Sequence, residues 1–189
     1  MHVVKLPFNI LKGKDDPSPM LKVKSTGKTV FRVLASIFVA VSLARSASAQ
    51  GTSFDRLTPA FPTAGERTAA DVASWVTVGT AVALDLRAAW RSGDRKHQLH
   101  LAGARIFATW TLASLAKGLA HRERPDGSNN LSFYSMHTAM AFQTLGGPRV
   151  SVALPLSVGT GGLRVAAGKH WLTDVLVGAG VGALTSRIR

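Results

Sequence analysis

The sequence predicts an all-α protein, a helical bundle of about five to six helices, and three observations predict it. Apolar runs dominated by Ala, Leu and Val recur along residues 68–186, and none alternates with the period of two that a half-buried strand requires. The runs are separated by compact turn signals: Arg91-Ser92-Gly93-Asp94, Arg124-Pro125-Asp126-Gly127-Ser128-Asn129-Asn130 and Gly146-Gly147-Pro148. Of the 189 residues, 46% are hydrophobic, which suffices for one packed core and excludes a wholly disordered chain.

The elements follow in chain order. Residues 1–49 read as an export signal with an upstream extension. Lys22, Lys24, Lys28 and Arg32 precede the apolar run Val33–Ala44, and Ala47-Ser48-Ala49 has the small-residue pattern of a cleavage site before Gln50. That apolar run is short for a membrane span, which needs about 20 residues; an uncleaved first membrane helix is the other reading. Met20 offers a second start for the signal. Residues 50–67, rich in Pro, Gly and Thr, read as an extended arm or linker. Helices are then expected over 68–91, 98–119, 136–147, 149–164 and 170–186, forming one domain over 68–189. Gly159-Thr160-Gly161-Gly162 reads as a helix-terminating turn, and Gly178, Gly180 and Gly182 suit close helix packing.

Composition removes several function classes. There is no cysteine, so disulfide scaffolds, cysteine-ligated zinc, iron–sulfur clusters and thiol catalysis are out. The formal net charge is +13, from 23 Lys and Arg against 10 Asp and Glu. Residues 1–49 hold eight basic and two acidic residues, so almost half the excess belongs to the segment read as an address. With no basic–aromatic stripe and no reading helix, a nucleic-acid partner is not expected. Asp85, Arg105 and Gln143 interrupt the apolar runs, which favours a soluble core. Against that, the 91–97 loop, Arg149 and the Arg187/Arg189 tail would all fall on one side of a bilayer if the helices alternate across it. The chain therefore reads as exported to the periplasm, soluble or associated with the inner membrane.

Three short elements share one chemistry. The first is Lys117 with Arg124-Pro125; the second is Ser135-Met136-His137; the third is Arg164 with His170 and Asp174. His170 and Asp174 stand at i,i+4 and share a helix face if that turn is helical. Three cations, two imidazoles, a carboxylate and a hydroxyl form an inventory for phosphoryl transfer. Cations neutralise the equatorial oxygens, a nucleophile attacks in line, and an acid protonates the leaving oxygen. Arginine binds phosphate through two donors at once, while lysine acts as a point charge. Singly, each residue is better read as a satisfied structural group, and only the joint pattern carries weight. His121 and Arg122 read as solvated loop residues, His97 and His100 as a polar loop, and Asn130-Leu131-Ser132 as a chance glycosylation sequon.

The three elements, in this order and spacing, resemble the type 2 phosphatidic acid phosphatase/vanadium haloperoxidase superfamily. Its signatures are Lys-x6-Arg-Pro, Pro-Ser-Gly-His and Ser-Arg-x5-His-x3-Asp, and the resemblance covers roughly residues 68–186. The first is complete here; Tyr134 and Met136 replace the Pro and Gly of the second, and Leu163 replaces the Ser of the third. The resemblance implies a helical core and a mechanism without metal or cofactor. His170 would attack phosphorus, oriented by Asp174; His137 would serve as general acid and then base. Lys117, Arg124, Ser135 and Arg164 would hold the phosphate. The implied substrate is a phosphate ester, soluble or lipid-linked. A catalytically inactive binding or structural membrane protein is the alternative that Met136 and Leu163 motivate. A vanadate-dependent haloperoxidase ranks below it, because those enzymes are generally much longer.

Overall fold

The computed structural model describes residues 53–57, 60–61 and 63–189. The segment read as an export signal lies outside the described residues. Among them are five α-helices and no strand: α1 (Ala64–Trp90), α2 (Arg95–Ala120), α3 (Met136–Gln143), α4 (Val150–Ala166) and α5 (Leu172–Thr185). Short 3-10 turns cover Asp55–Leu57 and Thr144–Gly146. The all-helical expectation is met.

Three local expectations change. Helix α1 starts at Ala64, inside the stretch read as a linker. Thr63 Oγ1 accepts from the Glu66 amide, and the Glu66 carboxylate accepts from the Thr63 amide and hydroxyl, so Thr63-x-x-Glu66 is a capping box. His97 and His100 sit in the first turns of α2, not in a loop, because Asp94 caps that helix on the His97 amide. The glycines at 159–162 do not end α4, which runs on to Ala166. Gly161 lies instead at a crossing: a Cβ there would stand 2.8 Å from Val175 Cγ1.

The short helix α3 is central and touches all four others. It lies on α5 with almost no separation. A Cβ at Gly178 would be 2.6 Å from the Ser135 carbonyl oxygen, and one at Gly182 would be 2.4 Å from that of Ala139. Gly180 faces open space. Hydroxyl pairs lie between the long helices, Thr77 with Thr160 at 2.8 Å and Thr109 with Thr185 at 2.9 Å.

The two ends of the bundle differ in charge chemistry. At one end Ser92, Asp94, Arg105 and Gly146–Pro148 line a pocket of about 370 Å³. Arg105 Nε there donates to the Ile188 carbonyl at 3.3 Å, beside the chain terminus. Arg91, Arg95, Lys96, Arg149, Arg187 and Arg189 belong to these segments, and all are exposed. The residues of the three motif elements gather at the opposite end.

The glycine contacts predict a contrast within one helix. Gly182→Ala forces a methyl against two backbone and side-chain neighbours of α3 and lowers stability by about 1–3 kcal/mol. Gly180→Ala meets nothing and is neutral, or stabilising by up to about 1 kcal/mol through helix propensity. Thermal unfolding of the two purified variants reads the difference; equal melting points would refute the packing assigned to α3 and α5.

Candidate functional site

Each element delivers its residues through a helix end. Lys117 lies in the last turn of α2, and its Nζ donates to the Leu131 carbonyl at 2.6 Å. That helix stops at His121, which adopts the left-handed conformation (φ 45°) and donates its amide to the Lys117 carbonyl. The turn brings Arg124 back towards Lys117. Ser135 is the N-cap of α3, its Oγ accepting from the Thr138 amide and hydroxyl at 3.4 and 2.9 Å. With those bonds accepted, its hydroxyl proton is what it can offer a ligand. His137 follows in the first turn, its ring edge-on to Trp75 with centroids 4.1 Å apart. Arg164 occupies the last turn of α4, where a guanidinium nitrogen pairs with Asp71 and lies 3.2 Å from Ser74 Oγ.

All seven predicted residues converge at this end. Arg164, His170, Lys117 and Arg124 all lie within electrostatic reach of the His137 ring. His137 Nε2, Arg124 Nε and Arg164 Nε are buried and make no hydrogen bond among the described residues. Buried donors and acceptors of this kind are uncommon in folded proteins; others here include Arg122 Nε, Tyr134 Oη and the Gln143 amide, whereas the first three belong to the three separate motif elements. Among the described residues no group of three or more His, Asp or Glu side chains has metal-binding geometry.

The nucleophile candidate is held differently from the sequence expectation. His170 lies two residues before α5, so the pair with Asp174 is not two residues of one helix face. Its Nδ1 is 2.7 Å from the Ser132 carbonyl oxygen and 3.9 Å from Asp174 Oδ2. A carbonyl can only accept, so Nδ1 carries the proton and Nε2 keeps its lone pair. Asp174 stands behind: Oδ2 accepts from Ser132 Oγ at 2.5 Å and from the Trp171 amide at 3.1 Å.

Two functional groups escaped sequence reasoning. Arg122, expected to be solvated, is only 4% exposed and bonds Asp174 Oδ1 at 2.7 Å. Ser132, expected to be incidental, links His170 to Asp174 through its carbonyl and its hydroxyl. His121, by contrast, is exposed as expected. Two of the three residues that depart from the family signatures are taken up by packing: Met136 lies against the apolar cluster around Leu112, Phe133 and Val181, and Tyr134 is buried within it.

No family model matches this chain, and no curated protein or solved structure matches it either.

Burial lowers the His170 imidazole to about 4 from its ordinary 6.5; Asp174 pulls the other way, and Lys117 and Arg164 push it further down. A lowered value keeps the ring neutral throughout the neutral range. Between about 6.5 and 4 the unfolded ring takes up a proton that the folded ring refuses, so this group removes stability as pH falls through that window. The ¹⁵N resonances of His170, identified by their loss in His170→Gln, are expected to be those of a neutral ring at pH 5.5. A titration midpoint near 6.5 would contradict the site as described.

Proposed function

We propose that the chain is a metal-independent phosphatase that hydrolyses a phosphomonoester or lipid phosphate through a phosphohistidine, on a phosphatidic acid phosphatase/haloperoxidase-like core. The supporting observation is the convergence of Lys117, Arg124 and Arg164 on two histidines, one with Nδ1 protonated and Nε2 left as a lone pair. Nε2 of His170 attacks phosphorus, the bond to the leaving oxygen breaks, and His137, protonated once the bound phosphate dianion offsets the surrounding cations, supplies that oxygen with its proton. Water then attacks phosphorus, His137 takes its proton, and the P–N bond breaks to release phosphate. The three cations neutralise the charge that spreads over the non-bridging oxygens.

A lipid-linked ester is the favoured substrate. The bundle presents Val72, Trp75, Val76 and Trp90 of α1, Phe107, Trp110 and Leu115 of α2, and Val150, Val152 and Val158 of α4 to its surroundings. Its interior, beside many small apolar side chains and the cluster around Leu112 and Phe133, also holds Ser74, Thr109, Gln143, Ser157, Thr160 and Thr185. Large apolar side chains outside and numerous hydroxyls inside suit lipid as the outer solvent. Helix α1 is about 40 Å long and is apolar enough to cross a membrane. The exposed arginines at the far end would face the cytoplasm, leaving the phosphate site on the exported side.

The expected results are specific. The purified protein hydrolyses an aryl phosphate and phosphatidic acid, is insensitive to EDTA, and is inhibited by vanadate. His170→Ala abolishes turnover, and Lys117→Ala lowers kcat/KM by about 10²–10³-fold. Equal activity in wild type and His170→Ala would sink the proposal. Vanadate binding without turnover of any substrate would favour the inactive-binder reading that Met136 and Leu163 raise. A protein released from membranes by alkaline carbonate would redirect the search to soluble monoesters.

A further inference from the structure

Arg122 is not needed by the three-part site as stated, yet it is among the most enclosed charges in the molecule. Its two terminal nitrogens are divided between two carboxylates: NH1 bonds Asp174 Oδ1 and NH2 bonds Asp55 Oδ2, each at 2.7 Å. NH1 also lies 2.8 Å from Thr173 Oγ1. All three charged side chains are nearly inaccessible. Asp55 belongs to the short 3-10 turn ahead of α1, outside every motif. Its Oδ1 accepts from the Thr173 amide at 2.9 Å and the Thr173 hydroxyl at 2.8 Å. The N-cap residue of α5, Trp171, provides no side-chain oxygen, so a distant segment satisfies an amide of that helix's first turn.

From there hydrogen bonds at either end of Ser132 link Asp174 to the Nδ1 side of the His170 ring, opposite the reacting Nε2. Asp174 Oδ2 accepts from Ser132 Oγ, and the Ser132 carbonyl accepts from His170 Nδ1. The Ser132 amide donates in turn to the Arg122 carbonyl at 2.9 Å. The Arg122 guanidinium is capped by the Trp171 ring, 5.6 Å from its centroid. A guanidinium can serve two carboxylates because its donors diverge in a rigid plane, whereas an ammonium is a single point.

We propose that Arg122 and Asp55 are positioning residues for the nucleophile. The segment carrying Asp55 docks on Arg122, fixes the Asp174 carboxylate against Ser132, and so holds His170 in the Nδ1–H tautomer with Nε2 presented to phosphorus. The site is then complete only when the turn at Asp55–Leu57 is seated. The inference rests on reading His170 as the nucleophile, but its structural half, the tautomer, does not need turnover to be observed.

Two variants of the full chain test it. Asp55→Asn keeps an oxygen for Thr173 but loses the charge that holds Arg122. Arg122→Lys keeps the charge and loses the fork. In each, kcat for an aryl phosphate is expected to fall about 10–100-fold, the range for partners that orient a reacting group from behind, with KM and vanadate inhibition within about twofold of wild type. In parallel, ¹⁵N-histidine spectra at neutral pH are expected to show His170 as a single Nδ1–H tautomer in wild type and a mixture in either variant. A wild-type tautomer pattern in both variants overturns the proposal, whatever their activity. Should the wild-type protein hydrolyse nothing, the phosphatase reading fails, while the tautomer comparison still decides the positioning role. If Asp55→Asn does not fold, Arg122→Lys alone carries the comparison.

Discussion

The close approach of α3 to α5 is the constraint on which the site depends. Missing Cβ atoms at Gly178 and Gly182 let the α3 backbone rest directly on α5, so the start of one helix meets the start of the other. The Ser135 amide donates to the Asp174 carbonyl at 3.1 Å, which joins the second motif element to the third by main-chain atoms alone. Gly161 does the same for α4, where a Cβ would fall between Val175 and Thr138. Because α3 has only eight residues, it sits inside the bundle without separating the longer helices. Arg164, His137 and His170 are thereby brought to one place from three stretches of chain.

Such convergence has an electrostatic cost that the surrounding carboxylates offset. Burying an unpaired guanidinium is expensive, and a buried ion pair is tolerated only when the remaining donors are satisfied. Arg122 meets that condition at its two terminal nitrogens, with two carboxylates and the Thr173 hydroxyl, and leaves Nε without a partner among the described residues. Arg164 meets it partly, through Asp71 and Ser74, and its Nε stays unpaired beside the His137 ring. Under the proposed reading, the cation with both terminal nitrogens on carboxylates positions the nucleophile, whereas Lys117, Arg124 and Arg164 are left to meet the phosphate.

The fold and most of the site were legible in the sequence for different reasons. Helix positions followed from apolar runs and turn residues, because those signals are local. The three motif elements were legible because their order and spacing resemble the signatures of one superfamily, and each lies at a helix end. The start of α1 was equally legible, since Thr63 and Glu66 form a capping box, but the prolines and glycines nearby concealed it. Gly159–Gly162 was misread because a glycine at a helix crossing and a glycine at a helix stop look alike in sequence; only the neighbour across the gap, Val175, separates them. Arg122 and Ser132 carry no local signal at all. Their partners lie 67 and 42 residues away, and a buried salt bridge between distant segments leaves no periodicity to read.

Among the described residues, two groups of cations differ in solvent as well as in position. At the far end Arg91, Arg95, Lys96, Arg149, Arg187 and Arg189 are exposed, so each acts as an ordinary solvated cation. At the site end Arg164 is buried and Lys117 and Arg124 are half-buried, so their fields act at short range on groups beside them. Solvated cations attract any anion weakly and are screened by salt; enclosed ones select an anion that fits between them. An apolar perimeter lies between the two populations. Under the proposed membrane setting, the first population orients the bundle and the second recognises the phosphate. A phosphorylated lipid headgroup held at one face therefore meets buried donors rather than the diffuse charge at the other, which is why the total of +13 says less about the ligand than the enclosure of three of its members.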